Sequence, residues 1–503
     1  MILLDGHHLT LADLAAIADD AAAVGLDPAA RTRIEEARAI VDRMADGEAP
    51  VYGINTGFGS FADVRIPHDQ LAALQLNLLR SHAAGVGDPL PRRAVRATMA
   101  LRANVLACGY SGIRVDTLEA LLQVLNARID PVVPSRGSVG ASGDLAPLAH
   151  LALVLVGEGE ALDGDHRVTG REALARAGIS PVTLAPKEGL ALINGTQPST
   201  AVLALALLDA ERLARTADIV AALSIDGLCG SSKPFDPRIH HARGFEGQSR
   251  AAANIRALLE GSGINASHAN CGRVQDAYSM RCAAQVHGAA REALAWVHRI
   301  VVTEANAATD NPMVFALEGD ILSGGNFHGA PVAIAADVLA IGMAQLATIS
   351  ERRSDRLVSP ASGLPPFLTR EGGLHSGLMM AQVTAAALAS ELKTAAHPAS
   401  VDSIPTSGNK EDHVSMSMAA ALKAARAVSL ARQVIAVELL CAAQAIDLLA
   451  PLETSAALGR VHARVRRDVA PLDGDRPPAP DIAAIDGLIA SGAVEHASGL
   501  VVN

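Results

Sequence analysis

Ala141-Ser142-Gly143 is a tripeptide that can build an electrophile from its own backbone. If the amide nitrogen of Gly143 attacks the carbonyl carbon of Ala141, the chain closes into a five-membered ring. Loss of water from the ring, and of the Ser142 hydroxyl as a second water, leaves an exocyclic methylidene conjugated to an imidazolone. Each residue type has a reason: Gly143 lacks a Cβ and allows close approach, Ala141 adds little bulk, and Ser142 carries a β leaving group. The product is an electrophile, which the ordinary side chains do not supply. In a 503-residue chain with 43 glycines the tripeptide alone is a chance event, so its setting matters. That setting, residues 135 to 161, runs from small residues (Gly137, Ser138, Gly140) into an apolar stretch, a flexible loop set against a buried helix.

Other side chains fall at spacings that suit chemistry. The chain has three tyrosines, and two of them, Tyr52 and Tyr278, sit in Gly-rich or polar surroundings where packing does not call for an aromatic ring. Gln275, Tyr278 and Arg281 follow i, i+3, i+6, which on a helix beginning near Gln275 keeps them on one face within roughly 120°. Among 17 histidines, His7-His8 and His240-His241 read as solvated pairs. No HExxH or other ligand spacing occurs, so no catalytic metal is expected.

The longer string GSVGASGDLAPLAHLA resembles the signature of the histidine, phenylalanine and tyrosine ammonia-lyase family, which uses a self-formed methylidene-imidazolone. The likeness runs from about Tyr52 to about Ser415 and includes YGINTGFG, INGTQ, VQDAYSMRC, SGGNFHG and the Glu-Asp-His at 411 to 413. It implies that Ala141, Ser142 and Gly143 form the electrophile with no external cofactor, and that Tyr52 takes the β proton of the substrate. A phenol needs a depressed pKa for that task near neutrality. It further implies that Tyr278 belongs to the catalytic set with Gln275 beside the substrate, that Asn194 steadies the electrophile and that Phe327 walls the pocket. Arg281 is the expected clamp on the substrate carboxylate, where a planar fork outperforms Lys.

His82, in Ser-His before the AAGVG turn, and Glu411 go with histidine in this family. An imidazole brings nitrogens that cost about 1 to 3 kcal/mol each if buried unpaired, so its pocket must supply partners. The implied reaction is therefore ammonia elimination from L-histidine to urocanate, by a homotetramer with sites built from three chains. Three residues depart from the histidine pattern: Lys410 where Gln is usual, Ala277 where Pro is common and Leu392 where Asn is common. They leave a tyrosine or phenylalanine lyase, or an aromatic aminomutase, as the alternative, with an inactive structural relative as a third. GSSKPFDP at 230 to 237 superficially matches the fumarase and aspartase signature but lacks its Met-Pro and following Lys. The 137 to 143 loop is no phosphate cradle, since no Gly-Lys-Ser/Thr follows and Asp144 would repel phosphate.

The elements that must hold these residues are helices. Half of the chain is hydrophobic yet only 2% is aromatic, so the core is built from Ala, Leu, Val and Ile, which favours closely packed helices. The expected class is mainly α: an N-terminal helical domain over 1 to 197 carrying the electrophile loop, then a bundle of very long helices over 198 to 503. The longest is expected from about Glu411 to Leu449, where no Gly or Pro intervenes, a rod of about 58 Å at 1.5 Å per residue. Glu411 also qualifies there as a first-turn acid. Apolar residues occur nearly all round that helix, as in one buried by other helices or subunits.

Five cysteines without a CxxC pair point to a reducing compartment. The first residues, MILLDGHHLT, do not read as a signal peptide. No uninterrupted apolar run approaches the ~18 to 20 residues of a membrane span. A cytoplasmic protein is expected. The formal net charge of -11 leaves no basic footprint for nucleic acid. The expected partner is a small amino acid, with neither nucleic acid nor membrane.

Overall fold

The computed structural model describes residues 1–269, 271–500 and 502, which form twenty α-helices and nine short strands. The expected mainly helical class is the one observed. By contact the chain forms two compact units of three segments each. The first takes Met1–Leu205, His298–Asp337 and Pro398–Leu422; the second takes Ala206–Val297, Val338–His397 and Lys423–Asn503. The boundary expected at 197/198 falls inside the helix Gln197–Gly227, whose residues belong to both units.

All nine described strands belong to the first unit, in four small sheets. One of them, Val86–Pro89 against Pro134–Arg136, ties the turn after His82 to the entry of the electrophile loop. Behind that loop lies the helix Leu145–Leu155, whose residues are buried on every face except Leu145 and His150. It packs against the helices Leu71–His82 and Glu188–Ile193. Fully buried leucines such as Leu148 each contribute roughly 1.5–3 kcal/mol.

The Tyr52 segment is a loop, as its glycines predict, and it is pinned from inside. Ile54 is fully buried among Ala37, Ile40, Val41, Leu71 and Val314, and the Gly57 amide donates to the Val64 carbonyl at 2.9 Å. A second pinned turn carries Asn194. Fully buried Arg102 donates to the Asn194 carbonyl (2.6 Å), to Gln197 Oε1 (2.6 Å) and to the Ala191 carbonyl. At the other end of the helix Glu188–Ile193, buried Lys187 pairs with Asp310 at 3.0 Å.

Two helix expectations need correction. Gln275 is not helical: Ala277 is extended (φ -62°, ψ 156°) and only Tyr278–Arg281 forms a helix before the separate Ala283–Ala305. Asp276 explains this, because its carboxylate accepts from the Ser231 amide (2.7 Å) and from Arg273 (3.1 Å), which spends it on the preceding loop. Likewise the last long helix is Ser417–Leu448, about 48 Å at 1.5 Å per residue. Residues 411 to 416 are drawn out of it, with Met416 in the left-handed region (φ 58°) and its amide bonded to the Val139 carbonyl at 2.8 Å. Glu411 is therefore not in a first helical turn.

Ala330–Val358 and Ser417–Leu448 are long and apolar enough on average to cross a membrane, although neither is an uninterrupted apolar run. Their most apolar windows are 67% and 83% buried within the protein, as for core helices. The interior of the second unit is also polar in places. Arg353 pairs with Glu438, which accepts from Ser224 Oγ at 2.6 Å. His287 Nδ1 bonds to Asp218 at 2.7 Å, and Asp218 takes further bonds from Arg291 (2.5 Å) and Asn254 (2.8 Å).

Candidate active site

The electrophile loop is held from both sides. Gly143 is in the left-handed region (φ 69°) and bridges to Gly195; a Cβ built on it would lie 2.2 Å from the Gly195 carbonyl oxygen. No other residue type fits that contact, which sets Gly143 directly against a fixed turn. The Asp144 amide donates to the same carbonyl at 2.8 Å. Asp144 itself is buried and accepts from Ser138 Oγ (2.5 Å) and the Ser199 amide (2.9 Å). On the opposite side Ser415 Oγ donates to the Gly140 carbonyl at 2.8 Å. Ala141, Val414 and Met416 form a small apolar cluster with Val139.

Ser142 Oγ donates to Glu411 Oε1 at 2.9 Å across 269 residues of sequence. This contact opens on a cavity of about 480 Å³ that also meets Tyr52, His82, Ala141, Asn194 and Phe327. Seven of the eleven residues singled out in the sequence thus face one space. Tyr52 packs edge-on to Phe58, with ring centres 6.3 Å apart. His82, at the end of its helix, bonds through Nδ1 to the Leu78 carbonyl at 2.9 Å. Ser81 Oγ lies 3.0 Å from the same nitrogen, so Nδ1 is engaged on the protein side and Nε2 is left for other partners. Asn194 Nδ2 reaches the Asn311 carbonyl at 3.4 Å, while its Oδ1 is buried without a partner among the described residues.

The electrostatics of the cavity oppose phenolate formation. Burial pushes the Tyr52 phenol above its ordinary value, the Gly59 backbone amide pulls it back, and the charge of Glu411 raises it again. Burial likewise raises the Asp144 carboxyl against the hydrogen bonds from Ser138 and Ser199.

Gln275, Tyr278 and Arg281 belong to the second unit and are not among the residues lining this cavity. There the Arg281 guanidinium lies 4.7 Å from the centre of the Tyr278 ring, which is 71% exposed, and Arg281 Nε is buried without a partner among the described residues. Of the three departures, only Lys410 lines the cavity. Leu392 is a buried core residue of the helix Met379–Ala395, and Ala277 is the extended residue ahead of Tyr278. Sequence reasoning passed over Asn311, His328, Asp412 and His413, which line the same space. His328 and His413 are stacked 5.8 Å apart and nearly parallel. Their adjacency to Phe327 and Glu411 in the chain was the available signal.

A tripeptide locked on a turn by Gly143, with its serine hydroxyl bonded to a carboxylate and an orphan amide oxygen at Asn194, fits a backbone-derived electrophile. The chain belongs to the aromatic amino acid lyase family, whose model matches residues 9–467. It is 57% identical to the histidine ammonia-lyase of Anaeromyxobacter dehalogenans over 505 residues, 98% of this chain and 99% of that one. To the histidine ammonia-lyase of Myxococcus xanthus it is 53% identical, over 98% of this chain and 97% of the relative. Among solved structures, histidine ammonia-lyase from Trypanosoma cruzi superposes with a TM-score of 0.92 at 45% identity, covering 99% of this chain and 95% of that one. Tyrosine aminomutase from Streptomyces globisporus superposes at 0.95 with 37% identity, over the whole of both chains.

Proposed function

We propose that this chain is a carbon–nitrogen lyase that eliminates ammonia from L-histidine to give urocanate, with Ala141-Ser142-Gly143 converted to a methylidene-imidazolone and no external cofactor. The observation that carries the reading is the Ser142–Glu411 contact inside a cavity shared with Tyr52, His82, Asn194 and Phe327. The methylidene-imidazolone would supply an electrophilic carbon that activates the β proton, the amine, or both. Gly143 and Gly195 would hold its ring, and the free Asn194 Oδ1 lies on the turn beside it.

The remaining work falls to side chains. Glu411 and His82 give the two ring nitrogens of the substrate hydrogen-bonding partners, which a phenyl ring would leave unused. Tyr52 Oη removes the β proton. Because burial and Glu411 raise this phenol, a cation brought close to it must favour the phenolate, and the ammonium of the substrate is one. Phe327 narrows the cavity and excludes water. In this reading the protein is a cytoplasmic homotetramer in which Gln275, Tyr278 and Arg281 of neighbouring copies complete each site, with Arg281 clamping the substrate carboxylate.

An aromatic aminomutase, or a tyrosine or phenylalanine lyase, is the second reading, and Lys410 on the cavity wall is the observation in its favour. The deciding experiment is an ultraviolet assay of purified protein with histidine, phenylalanine and tyrosine, with product identification. Histidine should lead in kcat/KM by at least ~100-fold. Preference for tyrosine or phenylalanine, or release of a β-amino acid, would transfer the assignment to the second reading. The intact mass should fall short of the sequence mass by two waters.

A further inference from the structure

The two oxygens of Glu411 are treated differently. Oε2 accepts from Thr406 Oγ1 (2.6 Å) and Ser407 Oγ (2.8 Å), whereas Oε1 accepts from Ser142 Oγ (2.9 Å). The turn that delivers the first pair is unusual. Ser407, Gly408 and Asn409 all lie in the left-handed region (φ 52°, 63° and 65°), and the Thr406 amide closes it by donating to the Glu411 carbonyl at 3.0 Å. Two non-glycine residues in that region are held there only because surrounding bonds over-determine them. What the strain secures is a pair of hydroxyls on one oxygen of one carboxylate.

We infer that Thr406 and Ser407 are positioning residues for substrate recognition: they hold Glu411 by Oε2, so that loss of the Ser142 hydroxyl frees Oε1, already oriented, for the substrate ring. This rests on the reading above that Ser142 is dehydrated and that Glu411 meets the imidazole. Formation of the electrophile and opening of the ring-binding site are then one event, because the water that leaves takes with it the only described donor to Oε1. Before that event Glu411 is fully engaged by three hydroxyls. Afterwards it keeps two, both on the oxygen facing the turn, and the carboxylate cannot rotate without breaking them.

Binding separates this from a merely structural turn. Ser142→Ala removes the hydroxyl without forming the electrophile and leaves Oε1 free, so histidine affinity can be read by calorimetry with no turnover. Adding Thr406→Val and Ser407→Gly to Ser142→Ala should weaken histidine at least ~10-fold and change phenylalanine binding by less than ~2-fold. Glycine at 407 keeps the left-handed backbone, and Thr406→Ser, which retains the hydroxyl, should restore affinity. In the otherwise wild-type chain the two clamp substitutions should leave the loss of two waters intact. Unchanged histidine affinity in the clamp variant would overturn the inference, as would an unmodified mass, which would place Thr406 and Ser407 in electrophile formation. An unmodified mass in the wild-type protein would instead remove the proposed function itself.

Discussion

Two polar clusters in this chain use nearly the same residue types to opposite ends. In the first unit Glu411, His82 and Tyr52 border a cavity of about 480 Å³, and the carboxylate is held by hydroxyls. In the second unit Asp218, His287, Arg353 and Glu438 are almost completely excluded from solvent, and the carboxylates are held by guanidinium groups. A carboxylate matched by arginine has spent its charge on the fold. One held by neutral hydroxyls keeps its charge for a ligand, and here it faces a space large enough to receive one. Residue type is thus a poor guide to function beside the nature of the partner and access to solvent.

The contrast can be broken by substitution, and the largest effect should fall on the first cluster. Ser142→Ala should leave the fold and its circular dichroism unchanged while lowering kcat on the order of 10,000-fold or more. Turnover near wild type in that variant would end the case for a backbone electrophile. In the second cluster, Glu438→Gln leaves Arg353 charged and unpaired in the interior, and unfolding titrations should show a loss of about 3–5 kcal/mol. The kcat of the molecules that remain folded should not change.

Smaller effects sharpen the comparison. Tyr52→Phe should lower kcat at least ~100-fold with little change in substrate binding. A variant within a few-fold of wild type would take Tyr52 out of the mechanism. The smallest effect is a pH slope. Burial outweighs the bond to Asp218 and holds His287 below its ordinary 6.5, with Arg353 acting in the same direction and Asp218 and Glu438 against it. A depressed histidine is neutral when folded and takes up a proton on unfolding. Its contribution is therefore present above pH 6.5 and is lost as pH falls below that value toward the folded one. Denaturant midpoints measured from pH 7 to pH 5 should fall with a slope worth at most about one proton per molecule, and His287→Gln should flatten it.

Much of the site was legible because its parts are short strings with chemical reasons. The requirement for Gly143 and the β leaving group of Ser142 follow from covalent geometry, which travels with the residues wherever they fold. Helix class was legible for a similar reason, since Ala- and Leu-rich segments without Gly or Pro favour helix locally. The misreadings fell where a distant partner overrode that preference. Asp276 holds Gln275 outside the helix, through bonds to Ser231 and Arg273. Bonds from Met416 to Val139 and from Ser415 to Gly140 pull residues 411 to 416 away from the last helix and into the site.

By itself, then, the sequence determined which tripeptide has the atoms an electrophile would need and which segments prefer to be helical, because both are properties of neighbouring residues. Only the tertiary structure decided which carboxylate meets Ser142, why Leu392 is core while Lys410 lines the cavity, and that Asp218 and His287 pair with each other in the interior. Those outcomes depend on contacts between residues far apart in the chain, 275 positions in the case of Ser415 and Gly140. Burial and pairing are set by the whole surroundings of a side chain, and no local pattern carries that information.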